Sequence, residues 1–241
     1  MLCIAPPVSA PPPVAGPVSD AQMALPDGRT AIVIAMGGAD TAAFRDRIGA
    51  EMGPATGAVT QFWGADWPRE ITVVITDSAG QFAALAMSGA DIAAATTAQG
   101  IVFAPGAATM SPAALRIVLR HELFHYAARS STGRDAPRWL TEGVADYVGR
   151  PRSPVPPHSA DLAVLPTDAE LDTPGAVRSL AYDRAWWFSR YVADRYGPRK
   201  LRDLYVLACG PGHPDVRSAV REVLGDNLDD VVVGWRGWMN G

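Results

Sequence analysis

Apolar residues follow two different spacings along this chain, and the change of spacing divides it into two parts. The first half contains short runs rich in β-branched and other apolar residues, which are typical of strands. These runs lie at residues 30–36, 71–76 and 100–104. Helical spacing predicts helices between them, over residues 40–52 and 82–87, and Gly53-Pro54 is expected to end the first. This half is predicted to be a small sheet with helices packed against it.

Helical spacing dominates the second half of the chain. A long helix is predicted from Pro112 to Ala128, because Ser111 supplies a capping hydroxyl and proline suits the first helical position. A second helix is predicted to begin at Pro137 and to run to Tyr147. Further helices are predicted at residues 180–196, 200–208, 216–224 and 228–238. Aromatic residues at helical spacing predict the core of this region, namely Trp186, Trp187, Phe188, Trp235 and Trp238.

Together these patterns predict an α+β fold. A small twisted sheet lobe, including the 112–128 helix, is expected over residues 29–128, and a mostly helical lobe over 129–241, in a single domain. Residues 1–28 contain seven prolines and no aromatic residue. This segment is predicted to be a disordered Pro/Ala-rich arm, and it is too short and too broken to form a transmembrane segment.

The net charge of −4 argues against a nucleic-acid partner, since no basic stretch is present. The two cysteines, Cys3 and Cys209, are too few for a disulfide framework. Composition therefore leaves a globular protein whose chemistry must be sought in its motifs.

The predicted 112–128 helix carries the sequence His121-Glu122-Leu123-Phe124-His125. Residues four apart lie on one face of a helix, so His121 and His125 can bind a single metal ion. Glu122 lies beside them and can act as a general base on a water molecule without being a ligand. The alternative is an amphipathic helix with two histidines satisfied by other partners.

The predicted second helix offers two carboxylates on one face, Glu142 and Asp146. Glu142 follows His125 by 17 residues, and the loop between them is short enough for the two helices to lie side by side. Glu142 could then be the third ligand, while Asp146 could accept the second ring N–H of a metal-bound histidine. The alternative for both is a solvated helix face. His158 and His213 are further candidates for a fourth ligand or a proton donor, against the alternative of exposed loop histidines.

The sequences HELFH and WLTEGVADY resemble the gluzincin metallopeptidases of the thermolysin-like clan, above all the branch called peptidase MA-like. The resemblance is strong over residues 111–148. It implies one Zn²⁺ per chain bound by His121, His125 and Glu142. It further implies that Glu122 is the general base and that Asp146 is hydrogen-bonded to His121.

The same resemblance suggests two further features. Peptidase MA-like proteins often carry a tyrosine where this chain has Tyr182, and a phenol there could stabilise an oxyanion; the alternative is a tyrosine of the core. The resemblance also implies that an edge strand binds substrate by strand addition. Residues 101–104 are the candidate for that edge, with an interior strand as the alternative.

The sequence therefore predicts a zinc metallopeptidase acting on a peptide or protein substrate. A non-catalytic zinc-binding domain of the same fold and a helical scaffold without metal are the alternatives. An arm rich in proline and alanine before a hydrolase domain favours secretion or attachment to the cell envelope over the cytoplasm. The oligomeric state and the cleavage specificity have no sequence signal.

Overall fold

A computed structural model describes residues 18–87, 91–156 and 159–240. The strands within these residues are β1 (Val18–Ala24), β2 (Thr30–Met36), β3 (Glu70–Thr76), β4 (Ala94–Thr96) and β5 (Ile101–Phe103). The helices are α1 (Ala39–Trp63), α2 (Ala79–Ala86), α3 (Pro112–Ala128), α4 (Arg138–Gly149), α5 (Asp168–Asp172), α6 (Ala176–Tyr196), α7 (Pro198–Cys209), α8 (Val216–Leu224) and α9 (Leu228–Trp238). The prediction of an α+β fold is confirmed.

The five strands form one mixed sheet in the order β1-β2-β3-β5-β4. Strands β2, β3 and β5 are parallel, while β1 and β4 run antiparallel to their neighbours. The side chains that β2 and β3 direct inward are apolar and buried, such as Val33 and Val73, and this face packs against α1. Strand β5 is therefore interior, so the suggestion that residues 101–104 form the edge is wrong. The edge strand beside β5 is β4, whose three residues are too few to give a periodic signal, and β1 is the opposite edge.

Residues 18–24 correct the expected extent of the N-terminal arm. They form β1, which pairs along its full length with β2 through a turn at Pro26-Asp27-Gly28, where Gly28 has a φ of 80°. Alternate β1 side chains are exposed and none is fully buried, so the strand depends mainly on its backbone hydrogen bonds to β2, with Met23 packing against the core. This explains why the residue pattern did not predict it. Residues 1–17 of the expected arm lie outside the described residues.

Helix α1 is also longer than predicted, because it continues through Gly53-Pro54 to Trp63. Proline usually excludes the helical conformation from the preceding residue through a clash with its Cβ, and Gly53 has no Cβ. Beyond the proline, Val59 and Trp63 are buried in the core. Their burial favours continuation of the helix, so the expected stop at residue 53 is wrong.

The helical lobe packs around α6, and the predicted aromatic core is present there. Trp186, Trp187, Phe188 and Trp235 are buried, and Trp238 packs against them from the rim. One continuous cluster of buried apolar residues extends from the sheet into this lobe. None of the helices in the described part of the chain is long and apolar enough to cross a membrane.

Candidate metal centre

Helix α3 begins and ends where the sequence predicted. The hydroxyl oxygen of Ser111 accepts a backbone amide of the first turn at 3.2 Å, and Pro112 occupies the first helical position. Leu119 and Leu123 are fully buried and fix the rotation of the helix. His121 and His125 therefore lie on the side that faces α4, where both side chains are partly accessible to solvent.

Helix α4 lies close enough to α3 for its acidic face to meet these histidines. Gly149 makes the close approach possible, because a Cβ at this position would lie 2.9 Å from the carbonyl oxygen of Ile117. Glu142 and Asp146 are one turn apart on the face directed at α3. The loop from Arg129 to Pro137 reverses the chain between the two helices, as predicted.

Three potential ligand atoms form a triangle between the helices. His121 Nε2 lies 3.1 Å from His125 Nε2, and Glu142 Oε2 lies 3.2 Å and 3.5 Å from these two atoms. Ligands at tetrahedral positions around zinc, with bonds of 2.0–2.1 Å, are separated by about 3.3 Å. The triangle therefore has the dimensions of a zinc site with one position left for another ligand. His121, His125 and Glu142 could together hold a metal ion.

The electrostatics of the triangle favour a cation. Burial opposes the charged form of His121, but hydrogen bonds with Asp146 and Glu142 outweigh it and hold the pKa of His121 well above its usual value. Burial also opposes the charged form of Glu142, yet the positive field of His125 and a hydrogen bond from His121 keep its pKa well below the usual range. A divalent metal can supply the same positive charge while both imidazoles stay neutral.

Asp146 orients His121. The Nδ1–H of His121 donates to Asp146 Oδ1 at 2.9 Å, which leaves the Nε2 lone pair directed at the triangle. Asp146 is itself held by Arg150, whose guanidinium lies 2.6 Å from Asp146 Oδ2 and 2.6 Å from Asp183 Oδ1. Sequence reasoning overlooked Arg150, although its position four residues after Asp146 on a helix is a recognisable signal.

Glu122 is buried beside the triangle and contributes no atom to it. The hydroxyl of Thr96, on edge strand β4, lies 2.7 Å from Glu122 Oε2 and 2.9 Å from the Glu122 carbonyl oxygen. The edge of the sheet thus meets the general-base candidate directly. Sequence reasoning missed Thr96, because a contact between residues 26 positions apart has no local pattern.

The remaining candidates from the sequence are Tyr182, His213 and His158. Tyr182 on α6 lies near the triangle, with its ring centroid 6.3 Å from that of His121. Burial, the charge of Glu142 and a hydrogen bond with Glu142 raise the pKa of the Tyr182 phenol, so it stays protonated. His213 is not part of the group; its ring nitrogens contact backbone carbonyls of Pro214 and Asp135. His158 lies outside the described residues.

The triangle and Glu122 open into a cavity of about 990 Å³. Its walls are residues 91–98, including β4, one side of α3 and its following loop, the acidic face of α4, and the beginning of α6. This volume is large enough for a small molecule or several residues of a peptide.

Comparisons with known proteins give a relationship in structure but not in sequence. No protein-family model matches the chain, and no curated protein matches it. The structure is similar to the crystal structure of Legionella pneumophila aminopeptidase A in complex with aspartic acid, with a TM-score of 0.54 and 15% sequence identity. The match covers 91% of this chain and 28% of the aminopeptidase chain. At this identity the similarity concerns the fold.

Proposed function

We propose that this protein is a zinc-dependent peptidase of the gluzincin type, with one Zn²⁺ per chain bound by His121, His125 and Glu142. The triangle of ligand atoms carries the proposal, because separations of 3.1–3.5 Å suit tetrahedral zinc. Two imidazoles and one carboxylate suit zinc better than a hard cation such as Mg²⁺. The fold similarity to part of an aminopeptidase is consistent with a peptidase, and the HELFH and WLTEGVADY segments support the gluzincin type.

The chemistry is hydrolysis of an amide to a carboxylic acid and an amine. When bound, zinc supplies a Lewis acid that lowers the pKa of a water molecule and polarises the scissile carbonyl. Glu122 accepts a proton from the attacking water and transfers it to the amine nitrogen as the C–N bond breaks. Tyr182 donates its phenolic proton in a hydrogen bond to the carbonyl oxygen as negative charge develops there. Asp146 keeps the Nε2 of His121 available as a ligand.

Metal analysis is the first test. Purified protein, or chelated protein to which zinc is returned, should hold about one zinc ion per chain. Its hydrolysis of a mixed peptide library should stop when a chelator removes the metal and resume when zinc is added. Protein that takes up no transition metal under these conditions would contradict the proposal.

Substitutions then separate the role of each carboxylate. Glu122→Gln keeps the shape of the side chain but removes its basicity, so activity should fall about 10²–10⁴-fold while zinc content is unchanged. Glu142→Ala removes a ligand, so zinc and activity should both be lost. Asp146→Asn should lower metal affinity or activity about 10–100-fold. Glu51→Gln, the same change at a carboxylate on α1 that pairs with Arg116 and does not line the cavity, is the control.

The outcomes distinguish an enzyme from a binding protein. A non-catalytic zinc-binding domain would hold zinc but hydrolyse no peptide, and Glu122→Gln would change neither property. Full zinc affinity in Glu142→Ala would show that the third ligand lies elsewhere.

A further inference from the structure

Four arginines line the cavity, and two of them are already neutralised by acidic partners. Arg150 is paired with Asp146 and Asp183, and Arg178 lies 2.6 Å from Asp91 Oδ2. The other two, Arg129 and Arg134, lie on the loop side of the cavity, next to the C-terminal end of α3. Arg129 and Arg134 differ from Arg150 and Arg178 in their lack of an acidic partner among the described residues.

Neither Arg129 nor Arg134 forms an ion pair with any residue in the described ranges 18–87, 91–156 and 159–240. The remaining residues of the chain contain no Asp or Glu side chain. No side-chain carboxylate of the described residues therefore lies within ion-pair distance of either guanidinium group. In addition, Arg129 Nη1 is shielded from solvent and lacks a hydrogen-bond acceptor among the described residues. A buried charged donor without a partner is destabilising, and an anion bound against the part of Arg129 that lines the cavity would offset this cost.

Arg129 is held in place beside the metal centre. It follows His125 by four residues, and such residues lie on one face of a helix with a rise of about 6 Å between them. Its guanidinium carbon lies 3.8 Å from the centre of the Tyr126 ring. The Tyr126 hydroxyl donates to the carbonyl oxygen of Glu70 at 2.7 Å, which anchors the ring to the sheet. The anchored Tyr126 ring therefore holds the Arg129 guanidinium in a fixed position.

The loop that carries Arg134 is also anchored. The Gly133 amide donates to the Cys209 carbonyl oxygen at 2.6 Å, and the Thr132 and Tyr205 hydroxyl oxygens are 2.8 Å apart. These contacts tie the loop to α7 at the two residues that precede Arg134. Arg134 is exposed, so its guanidinium can reach an incoming ligand from this fixed backbone position.

Unlike Arg129 and Arg134, each carboxylate that lines the cavity has an assigned partner or role. Asp91 and Asp183 are paired with arginine, and Asp146 is shared between His121 and Arg150. Glu142 belongs to the metal triangle, and Glu122 is the general-base candidate. Among the described residues that line the cavity, no carboxylate is therefore left to bind the free amino group of a peptide. Apart from Glu122, the side-chain charges of the cavity without an ion-pair partner are positive.

We propose that Arg129 and Arg134 bind a carboxylate of the substrate, so that the cleft selects peptides carrying this group near the bond to be cleaved. The inference rests on the proposed peptidase function and specifies its substrate class. Guanidinium groups suit carboxylates because they can donate two parallel hydrogen bonds to them. The carboxylate is either the free C-terminus of a short peptide or the side chain of Asp or Glu, and both offer the same two oxygen atoms.

Hydrolysis of matched peptide pools tests the proposal and separates the two sources. N-acetylated peptides are prepared as C-terminal acids and as C-terminal amides, each with and without Asp and Glu. The zinc-loaded full-length protein should cleave peptides that carry the preferred carboxylate about 10- to 100-fold more efficiently than those that lack it. A preference between acids and amides identifies the C-terminus, and a preference for Asp or Glu identifies the side chain. Equal kcat/KM on all four pools would overturn the proposal.

Variants connect this preference to the two arginines. Arg129→Gln and Arg134→Gln should each reduce the preference for carboxylate peptides mainly through KM, and the double variant should abolish it. Arg134 is exposed, so its variant is expected to fold even if Arg129→Gln does not. Arg199→Gln, an exposed arginine on α7 away from the cavity, should retain the full preference. Preference that persists in the double variant would overturn the proposal, because another group would then bind the carboxylate.

A binding measurement tests carboxylate recognition independently of hydrolysis. The zinc-loaded Glu122→Gln protein is titrated in a calorimeter with an N-acetylated peptide of the preferred kind and with the matched peptide lacking the carboxylate. If the protein hydrolyses nothing, acetyl-Asp-Ala, which carries both sources, is compared with acetyl-Asn-Ala amide. The carboxylate peptide should bind at least about 10-fold more tightly, and the double arginine variant should bind both equally. Equal binding by Glu122→Gln would refute carboxylate recognition even if the protein is an active peptidase.

Discussion

Thr96 connects the edge of the sheet to the general-base candidate. A hydroxyl has one hydrogen to donate, and here two acceptors compete for it, the side-chain oxygen of Glu122 at 2.7 Å and its carbonyl oxygen at 2.9 Å. Both belong to the same residue, so either bond holds Glu122 against β4. We therefore expect Thr96 to be a positioning residue, which would affect the proposed reaction through the orientation of the carboxylate.

Replacing Thr96 with Val keeps its shape but removes the hydroxyl. We expect kcat to fall about 10-fold or more, because a catalytic group that is no longer held in one orientation loses efficiency. KM and zinc content should change little, since Thr96 is not part of the ligand group. Thr96→Ser restores the donor and should recover most of the activity, as steady-state kinetics would measure. A variant Thr96→Val with unchanged kcat would show that Glu122 is positioned by other contacts.

At this scale the sequence predicts contacts within one helix better than contacts between elements. His121, Glu122 and His125 are defined by spacing along α3, and Asp146 by spacing from Glu142 along α4. Thr96 comes from a three-residue strand, so no spacing relates it to Glu122. Arg129 shows a different limit: its position just after α3 was readable, but its missing acidic partner depends on the packing of the whole cavity.

Helix α4 is the element on which the metal centre depends, since it lies against α3 on one side and α6 on the other. Each of these two contacts has a glycine at a point of close approach. Gly149 faces α3, while a Cβ on Gly143 would lie only 2.4 Å from the Ala185 carbonyl oxygen of α6. Glu142 precedes Gly143 directly. The spacing between α4 and α6 therefore sets the position of the proposed third ligand.

Gly143→Ala should destabilise the protein, because the added methyl group forces α4 and α6 apart. Overpacking of this kind typically costs about 1–3 kcal/mol in the free energy of unfolding, which urea denaturation would measure. Zinc affinity should fall as well, because Glu142 moves with α4. Gly57→Ala on α1 is the matched control, since nothing lies within 4 Å of its Cβ. The control should be neutral or stabilising by up to about 1 kcal/mol. Equal stability of Gly143→Ala and the parent would contradict the close packing.

The elements most accurately predicted are those with a strong pattern and clear boundaries, such as α3 and β3. The errors occur where tertiary contacts outweigh local preference. Helix α1 passes through Pro54 because burial continues beyond it, and β1 forms from an exposed sequence because β2 offers backbone partners. In both cases the deciding partner is distant in sequence or invisible in the residue pattern.

For the whole molecule, the sequence predicted the α+β class, because β-branched apolar runs and helically spaced apolar residues are distinct along the chain. It could not predict that β4 is an edge of the sheet, because β4 has only three residues. The proposed ligands lie on α3 and α4, so a bound metal cross-links the last helix of the sheet lobe to the first of the helical lobe. A ligand that binds only the folded state stabilises it in proportion to the logarithm of its concentration.

Because Cys209 is buried, the reactivity of its thiol reports how often the surrounding structure opens. The thiol is fully buried at the end of α7, and burial raises its pKa to about 12, so almost no reactive thiolate is present near neutral pH. Alkylation should therefore require that the packing around α7 opens, and its rate should follow the population of the open state. In a Cys3→Ser background, mass spectrometry should show slow labelling that zinc slows further and chelator accelerates. Rapid labelling that is indifferent to metal would mean that the helical lobe opens independently of the metal centre.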